Sequence, residues 1–300
     1  MNSAKGGINR GMVWRFKTSL GLWVGGGLCL SVLLSCEPPL SKSARFPLST
    51  SFQALEKRYQ IAIYYDQLQK TVPDYWRQAP ISFHYIPISE KDLSLLYPPI
   101  QAALAQYPDA VIKNNLRALG LAKQLSFFNT QYGATYTETQ PQRNTIYLSR
   151  IPNLDEAEVY DYVLDSVHHE FSSILLKKYP FPEKAWRAAN PRGFRYQYES
   201  SDNPGLTAMQ NSDVHQTGAV FFSNGFLSAY SQASLEEDLN VFSGEVFTHP
   251  QAILAKARRY PRIAQKLRVW LGFYGGLDPS FKAKPLFQNL AKAGFRASNK

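Results

Sequence analysis

The chain has 300 residues, 44% of them hydrophobic, with 33 Lys and Arg against 23 Asp and Glu. Its basic residues are scattered and accompany no nucleic-acid-binding motif, which argues against a nucleic-acid partner. The two cysteines, Cys29 and Cys36, both lie near the N-terminus, so no disulfide framework staples the rest, and a core built from about 265 residues must hold the fold.

Lys5, Arg10, Arg15 and Lys17, with no acid among them, precede an uncharged apolar stretch at 19–35. A positive segment followed by an apolar one predicts an export signal. The stretch ends in Leu33-Leu34-Ser35-Cys36, which resembles the lipobox of bacterial lipoproteins. Residues 1–35 are thus expected to be a cleaved signal peptide and Cys36 to carry the lipid; a retained apolar helix is the alternative. Acyl chains hold a protein to a bilayer at about 0.8 kcal/mol per buried CH2, so several on Cys36 make a stable anchor. Residues 36–50, rich in Pro and Ser, read as a tether. No later stretch approaches 18 uncharged apolar residues, so 51–300 is expected to be tethered rather than membrane-spanning. Losing the four signal cations lowers the formal charge from +10 to +6, a moderate excess that suits an anionic membrane surface as readily as any anionic ligand.

Further along, 51–59 predicts a short helix, 61–65 and 81–88 predict strands, and a helix is expected at about 90–106. Strands are expected again at 122–128 and 144–151, with a turn-prone stretch at 129–143 between them. The longest predicted helix is 154–178, capped by Asn153 with Glu156 three residues on and stopped by Pro180. Val163, Leu164, Val167, Phe171, Ile174 and Leu175 form its apolar stripe. Residues 180–230 read as loop-rich and aromatic, and helices dominate from 234. The order predicts a mixed α+β lobe over 51–178 and a loop-rich, helical lobe over 179–300.

His169-Glu170-Phe171-Ser172-Ser173 lies inside the long helix. In H-E-x-x-H, two imidazoles one turn apart bind zinc and the Glu activates the metal-bound water. Here Ser173 stands at the second imidazole. On the motif alone, an ordinary polar helix face is the commoner explanation of a bare His-Glu pair. His168 cannot replace the missing ligand, because adjacent helical positions point about 100° apart; a packing role suits it better. His215, in a loop, is an outside candidate for a substitute ligand.

The segment His168-His169-Glu170-Phe171-Ser172-Ser173-Ile174-Leu175 resembles the HHEFAHIL motif helix of zinc-binding metallopeptidase lipoproteins that accompany TonB-linked nutrient import, a gluzincin-like family. Gly225 to Ser231 (GFLSAYS) resembles its GFVSPYA segment, and the stretch from Glu236 to Asn240 its EDFAE helix. The resemblance implies a zincin-like α+β fold: a small N-terminal sheet with strand 144–151 at the cleft edge, a central motif helix, and a helical C-terminal lobe. It implies zinc as cofactor, His169 and Glu237 as metal ligands, Glu170 as general base and Tyr230 as oxyanion stabiliser, with peptides or proteins as substrates. It also implies a place in the bacterial cell envelope, on the outer membrane, beside a nutrient-import complex.

Glu237 has a second reading, since Ser234-Leu235-Glu236-Glu237 is a capping box with Glu237 at N3. Val241 departs from the second Glu of EDFAE. The aromatic and basic stretch 179–198 reads either as a lip gripping a polymer or as a loop packed on the domain. With Ser173 in place of an imidazole the site holds one ligand fewer than catalytic zinc sites normally have. A lipid-anchored protein with weakened or lost catalysis is therefore expected, against an active peptidase with an unusual metal site or an unrelated surface lipoprotein. Restoring the pair by Ser173→His is expected to raise zinc affinity.

Overall fold

The computed structural model describes residues 50–138, 143–211 and 213–295. The signal, Cys36 and the tether up to residue 49 lie outside the described residues. In chain order the elements are α1 (Thr50–Tyr59), β1 (Ala62–Tyr64), β2 (His84–Ile86), α2 (Glu90–Ala105), α3 (Asp109–Asn115), β3 (Ala118–Ala122), β4 (Gln124–Phe127), β5 (Thr130–Tyr132), β6 (Ala134–Tyr136), β7 (Thr145–Ser149) and α4 (Glu156–Lys178). Short helices follow, α5 (Glu183–Ala188), α6 (Pro204–Asn211) and α7 (Ala219–Ser223). Longer ones end the chain: α8 (Leu235–Thr248), α9 (Pro250–Arg259), α10 (Pro261–Leu277) and α11 (Pro285–Lys292). No helix among the described residues is long and apolar enough to cross a membrane.

Four strands form the main sheet in the order β1-β3-β7-β6, with β1, β3 and β7 parallel and β6 antiparallel. Every residue of β3 and β7 is buried, as expected of strands covered on both faces. Strand β7 is therefore interior, and the edge strands are β1 and β6, which corrects the placement of 144–151 at the cleft edge. The stretch 129–143, expected to be a turn, contains both β5 and β6. These three-residue strands are too short for an alternating pattern to show. Gly133, between them, approaches the motif helix so closely that a Cβ there would collide with the Tyr162 hydroxyl. A second sheet, β2-β4-β5, is antiparallel.

Helix α4 begins two residues later than expected. Asp155, not Asn153, is its N-cap, and the reciprocal partner is Glu158 rather than Glu156; Asn153 instead takes a left-handed conformation at φ 70°, which Asn tolerates better than most residues. The helix ends at Lys178 before Pro180. Its predicted apolar stripe is buried throughout. One continuous core runs from Phe52 on α1 to Phe295 past α11 and includes Val167, Phe171, Phe242, Phe247, Trp270 and Tyr274, so the two predicted lobes share it.

Candidate functional site

Helices α4 and α8 pack against each other, and their facing positions build the site. Ser234 caps α8, its hydroxyl accepting from the Glu237 N–H at 3.1 Å, so Glu237 falls in the first turn and faces α4. There Nε2 of His169 lies 3.2 Å from a Glu237 carboxylate oxygen, with the two side chains 18% and 15% exposed. The contact is an ion pair rather than an aligned hydrogen bond, and that oxygen has no hydrogen-bond partner among the described residues. Glu237 is therefore both a capped N3 residue and a cleft residue. The Tyr230 ring stacks 6.3 Å from the His169 ring. A Cβ on Gly205, in the first turn of α6, would fall on the Tyr230 hydroxyl and within 2.5 Å of a Glu237 oxygen. The structure thus brings His169, Glu170, Tyr230 and Glu237 together.

Electrostatics follow from this crowding. Burial alone would lower the His169 pKa, but the Glu237 carboxylate against its ring, with Glu170 and Asp165 nearby, outweighs it and raises the pKa to about 9. Burial pushes Glu170 up to about 7 against the pull of His169. Asp165, one turn before His169, is raised by burial to about 6. Burial, then Glu237, pushes the Tyr230 phenol well above its usual range. Tyr132, on β5, also faces these carboxylates, and its buried hydroxyl approaches the Asn203 side chain.

Ser173 points elsewhere. Its hydroxyl accepts from the Asn240 amide nitrogen at 2.7 Å, while the Asn240 carbonyl oxygen accepts from the Ser172 hydroxyl. Ser173 and Asn240 are 1% and 2% exposed. The place of the second imidazole is thus filled by a closed hydrogen-bonded bridge between α4 and α8. Asn240 is a site residue that the sequence reading passed over, and its signal was visible: it stands where EDFAE has Ala, opposite a Ser where HHEFAHIL has His. Tested against zinc, the cleft supplies two donors, His169 and Glu237, in contact with each other, and among the described residues a third donor is missing. Among the described residues no group of three His, Cys, Asp or Glu side chains could hold a metal ion, so His215, which is exposed, does not complete the set. Among the described residues, the three protein ligands that catalytic zinc requires are not assembled.

His168 packs. It is fully buried, stacks on Phe247 at 4.3 Å, and its ring nitrogens meet the Tyr107 hydroxyl at 2.8 Å and the Gln106 amide at 3.3 Å. Burial lowers its pKa to about 3. The unfolded chain therefore binds a proton that the folded one refuses between about pH 6.5 and 3, and stability falls as pH drops through that window. Glu170 and Asp165, with raised values, act in the opposite sense. The measurable quantity is the difference from His168→Phe: between pH 7 and 5 the native chain should lose about 2 kcal/mol more than the variant, read by urea denaturation at each pH. Equal losses would show that His168 is not held neutral.

The aromatics of 179–198 also pack. Trp186 is fully buried, Phe194 meets Phe226 at 4.6 Å, and Arg187 is paired with Glu183 and Glu199. The packed-loop alternative holds for these residues.

The family model described as "Putative zinc-binding metallo-peptidase" matches residues 125–264, a span that holds β6, the motif helix, Tyr230 and Glu237. Among solved structures, a putative zinc-binding metallo-peptidase from Bacteroides caccae ATCC 43185 shares 18% identity, covering 81% of this chain and 91% of its own, with a TM-score of 0.50. That likeness carries the fold. No curated protein matches the sequence. The chain has the α+β fold of such a protein and, over residues 125–264, is similar to the zinc-binding metallo-peptidase family.

Proposed function

We propose that this protein is a lipid-anchored component of the bacterial cell envelope that binds peptide segments in a metallopeptidase-like cleft without efficient zinc catalysis. One observation carries the reading: the buried Ser173 hydroxyl is bonded to Asn240 at 2.7 Å, where the motif of the related family would place a zinc-binding imidazole. A neutral hydroxyl is a poor zinc donor, and this one is engaged elsewhere. The sequence of the export signal and Cys36 supports the anchor, and the family resemblance supports a place beside an outer-membrane nutrient-import complex.

A second reading, an active peptidase with an unusual metal site, is favoured by the 3.2 Å approach of His169 and Glu237 and by a Glu170 poised near pKa 7, a value suited to a general base at neutral pH. Metal analysis of the purified native chain separates the two. The proposal expects zinc well below one equivalent and no peptidase activity above the blank. Stoichiometric zinc that is lost on His169→Ala or Glu237→Gln would establish the second reading instead.

A further inference from the structure

Residues 199–211 leave the body of the protein after Tyr198, and the chain rejoins it at Val214. Both ends are clamped to one short segment. The backbone N–H groups of Gln197 and Tyr198 donate to the carbonyls of Gln232 and Ala233 at 2.9 Å, those of Ala229 and Tyr230 to Gln216 and Val214 at 2.8 and 3.2 Å. Between the clamps the excursion makes few apolar contacts with the larger cores. Ala208 joins Val214 and Ala233 in a small apolar cluster with Tyr198 and Tyr230, apart from both larger cores. Apart from Glu199, which beside the hinge forms a solvent-exposed pair with Arg187 of the kind worth little, its polar bonds are local: Asn203 caps α6 by accepting from the Leu206 N–H at 3.0 Å, and the Ser201 and Thr207 hydroxyls meet at 2.8 Å. Units with few apolar contacts and local hydrogen bonds open at lower free energy than the whole molecule.

This excursion lies over the site. Gly205, itself buried, seats the first turn of α6 on the Tyr230 hydroxyl and a Glu237 oxygen, where no Cβ fits. The positive end of a helix there also suits the Glu237 carboxylate. What α6 presents to the site at that point is backbone with no side chain, so the chemistry able to take its seat is another peptide backbone, with its N–H groups toward Glu237.

We propose that residues 199–211 form a lid, hinged at Tyr198 and Val214, and that a peptide segment enters the His169–Glu237–Tyr230 cleft by displacing the first turn of α6. The inference rests on the peptide-binding reading of the cleft. The lid opens independently of the helices beneath it, and Gly205 is the residue that lets it close.

Amide hydrogen exchange of the full chain, followed by mass spectrometry, tests this. In the native chain the amides of 204–211 should exchange about 100-fold faster than those of α4 and α8. Gly205→Val, which denies the lid its seat, and Asn203→Ala, which removes the helix cap and the Asn203 side chain's approach to Tyr132, should each speed lid exchange by about a further 10-fold while α4 and α8 are unchanged. Tetraglycine at millimolar concentration should also speed lid exchange in the native chain. Lid amides as protected as those of α8, or variants in which lid and α8 accelerate together, would overturn the proposal. An independently opening lid with no response to tetraglycine would retain the lid and reject the peptide-binding reading beneath it.

Discussion

The Ser173→His variant alone is expected to melt below the native chain and to bind zinc no more tightly, whereas Ser173→His/Asn240→Ala is expected to bind zinc at least about 100-fold more tightly than the native chain. The first half departs from what the motif suggests on its own. An imidazole at 173 must enter a buried site where the Ser173 hydroxyl and the Asn240 amide meet at 2.7 Å. Overpacking of this kind costs about 1–3 kcal/mol, and it strands the Asn240 amide away from its partner at a cost of about 1–3 kcal/mol. Truncating Asn240 removes both objections. It clears the space the imidazole needs, one turn of α8 beyond Glu237, and Ser172 still has the carbonyl of His169 at 2.9 Å as acceptor. His169 and Glu237 are already in contact at 3.2 Å, so the double variant would present three protein ligands. Losing partners outside the ligand shell weakens metal binding by about 10–100-fold, and a ligand itself should count for more. Titration calorimetry with zinc on the four proteins of the cycle checks this. Single and double variants of equal affinity would show that Asn240 does not block the site; a double variant no tighter than the native chain would show that Glu237 cannot act as a ligand here.

Much of this site was legible in the sequence because helix periodicity is regular. The position of His169 on the long helix, the burial of Val163, Val167 and Phe171 beside it, and the capping of α8 by Ser234 all follow from spacings of three and four residues. The cap at the start of α4 was misplaced by two residues because Asn153 and Asp155 are both good N-caps, each with a Glu three residues on. Strand β3 was missed at Ala118–Ala122, where Ala and Gly carry little strand preference; its burial comes from lying between β1 and β7. The small strands β5 and β6 lack a periodic signal, so the β6 edge of the sheet was hidden. The Asn240 bridge and the Gly205 seat belong to tertiary contact: nothing local to Pro204–Asn211 says that its first turn will rest on a residue 32 positions later. The HE pair could be found from sequence, but what fills the third ligand place could be read only once α4 and α8 were set against each other.

The residue after Glu237 anchors that packing and carries the second large effect. Asp238 and Lys266 are 1% and 0% exposed. A single Asp238 carboxylate oxygen accepts from the Trp186 indole at 2.8 Å, the Tyr196 hydroxyl at 2.7 Å and the Lys266 ammonium. The ammonium also lies 4.2 Å from the centre of the Phe226 ring. Burial raises the Asp238 pKa, and it lowers that of Lys266 despite the facing carboxylate, so each charge is tolerated because of the other. Lys266→Met should therefore cost about 3–5 kcal/mol, as should Asp238→Asn, because each leaves one uncompensated buried charge. Together they should cost far less than their sum. Asn still accepts from Trp186 and Tyr196, Met fills the volume of the lysine stem, and no charge remains; replacing a buried ion pair by neutral groups of similar shape is often close to neutral. Thermal and urea denaturation of the native chain, both single variants and the double variant measures the coupling directly. Additive losses would show that the pair is not what makes either single change costly. A double variant of near-native stability whose lid amides exchange faster would show that the ion pair serves to hold the Glu237 turn in place, one residue from the charge it buries.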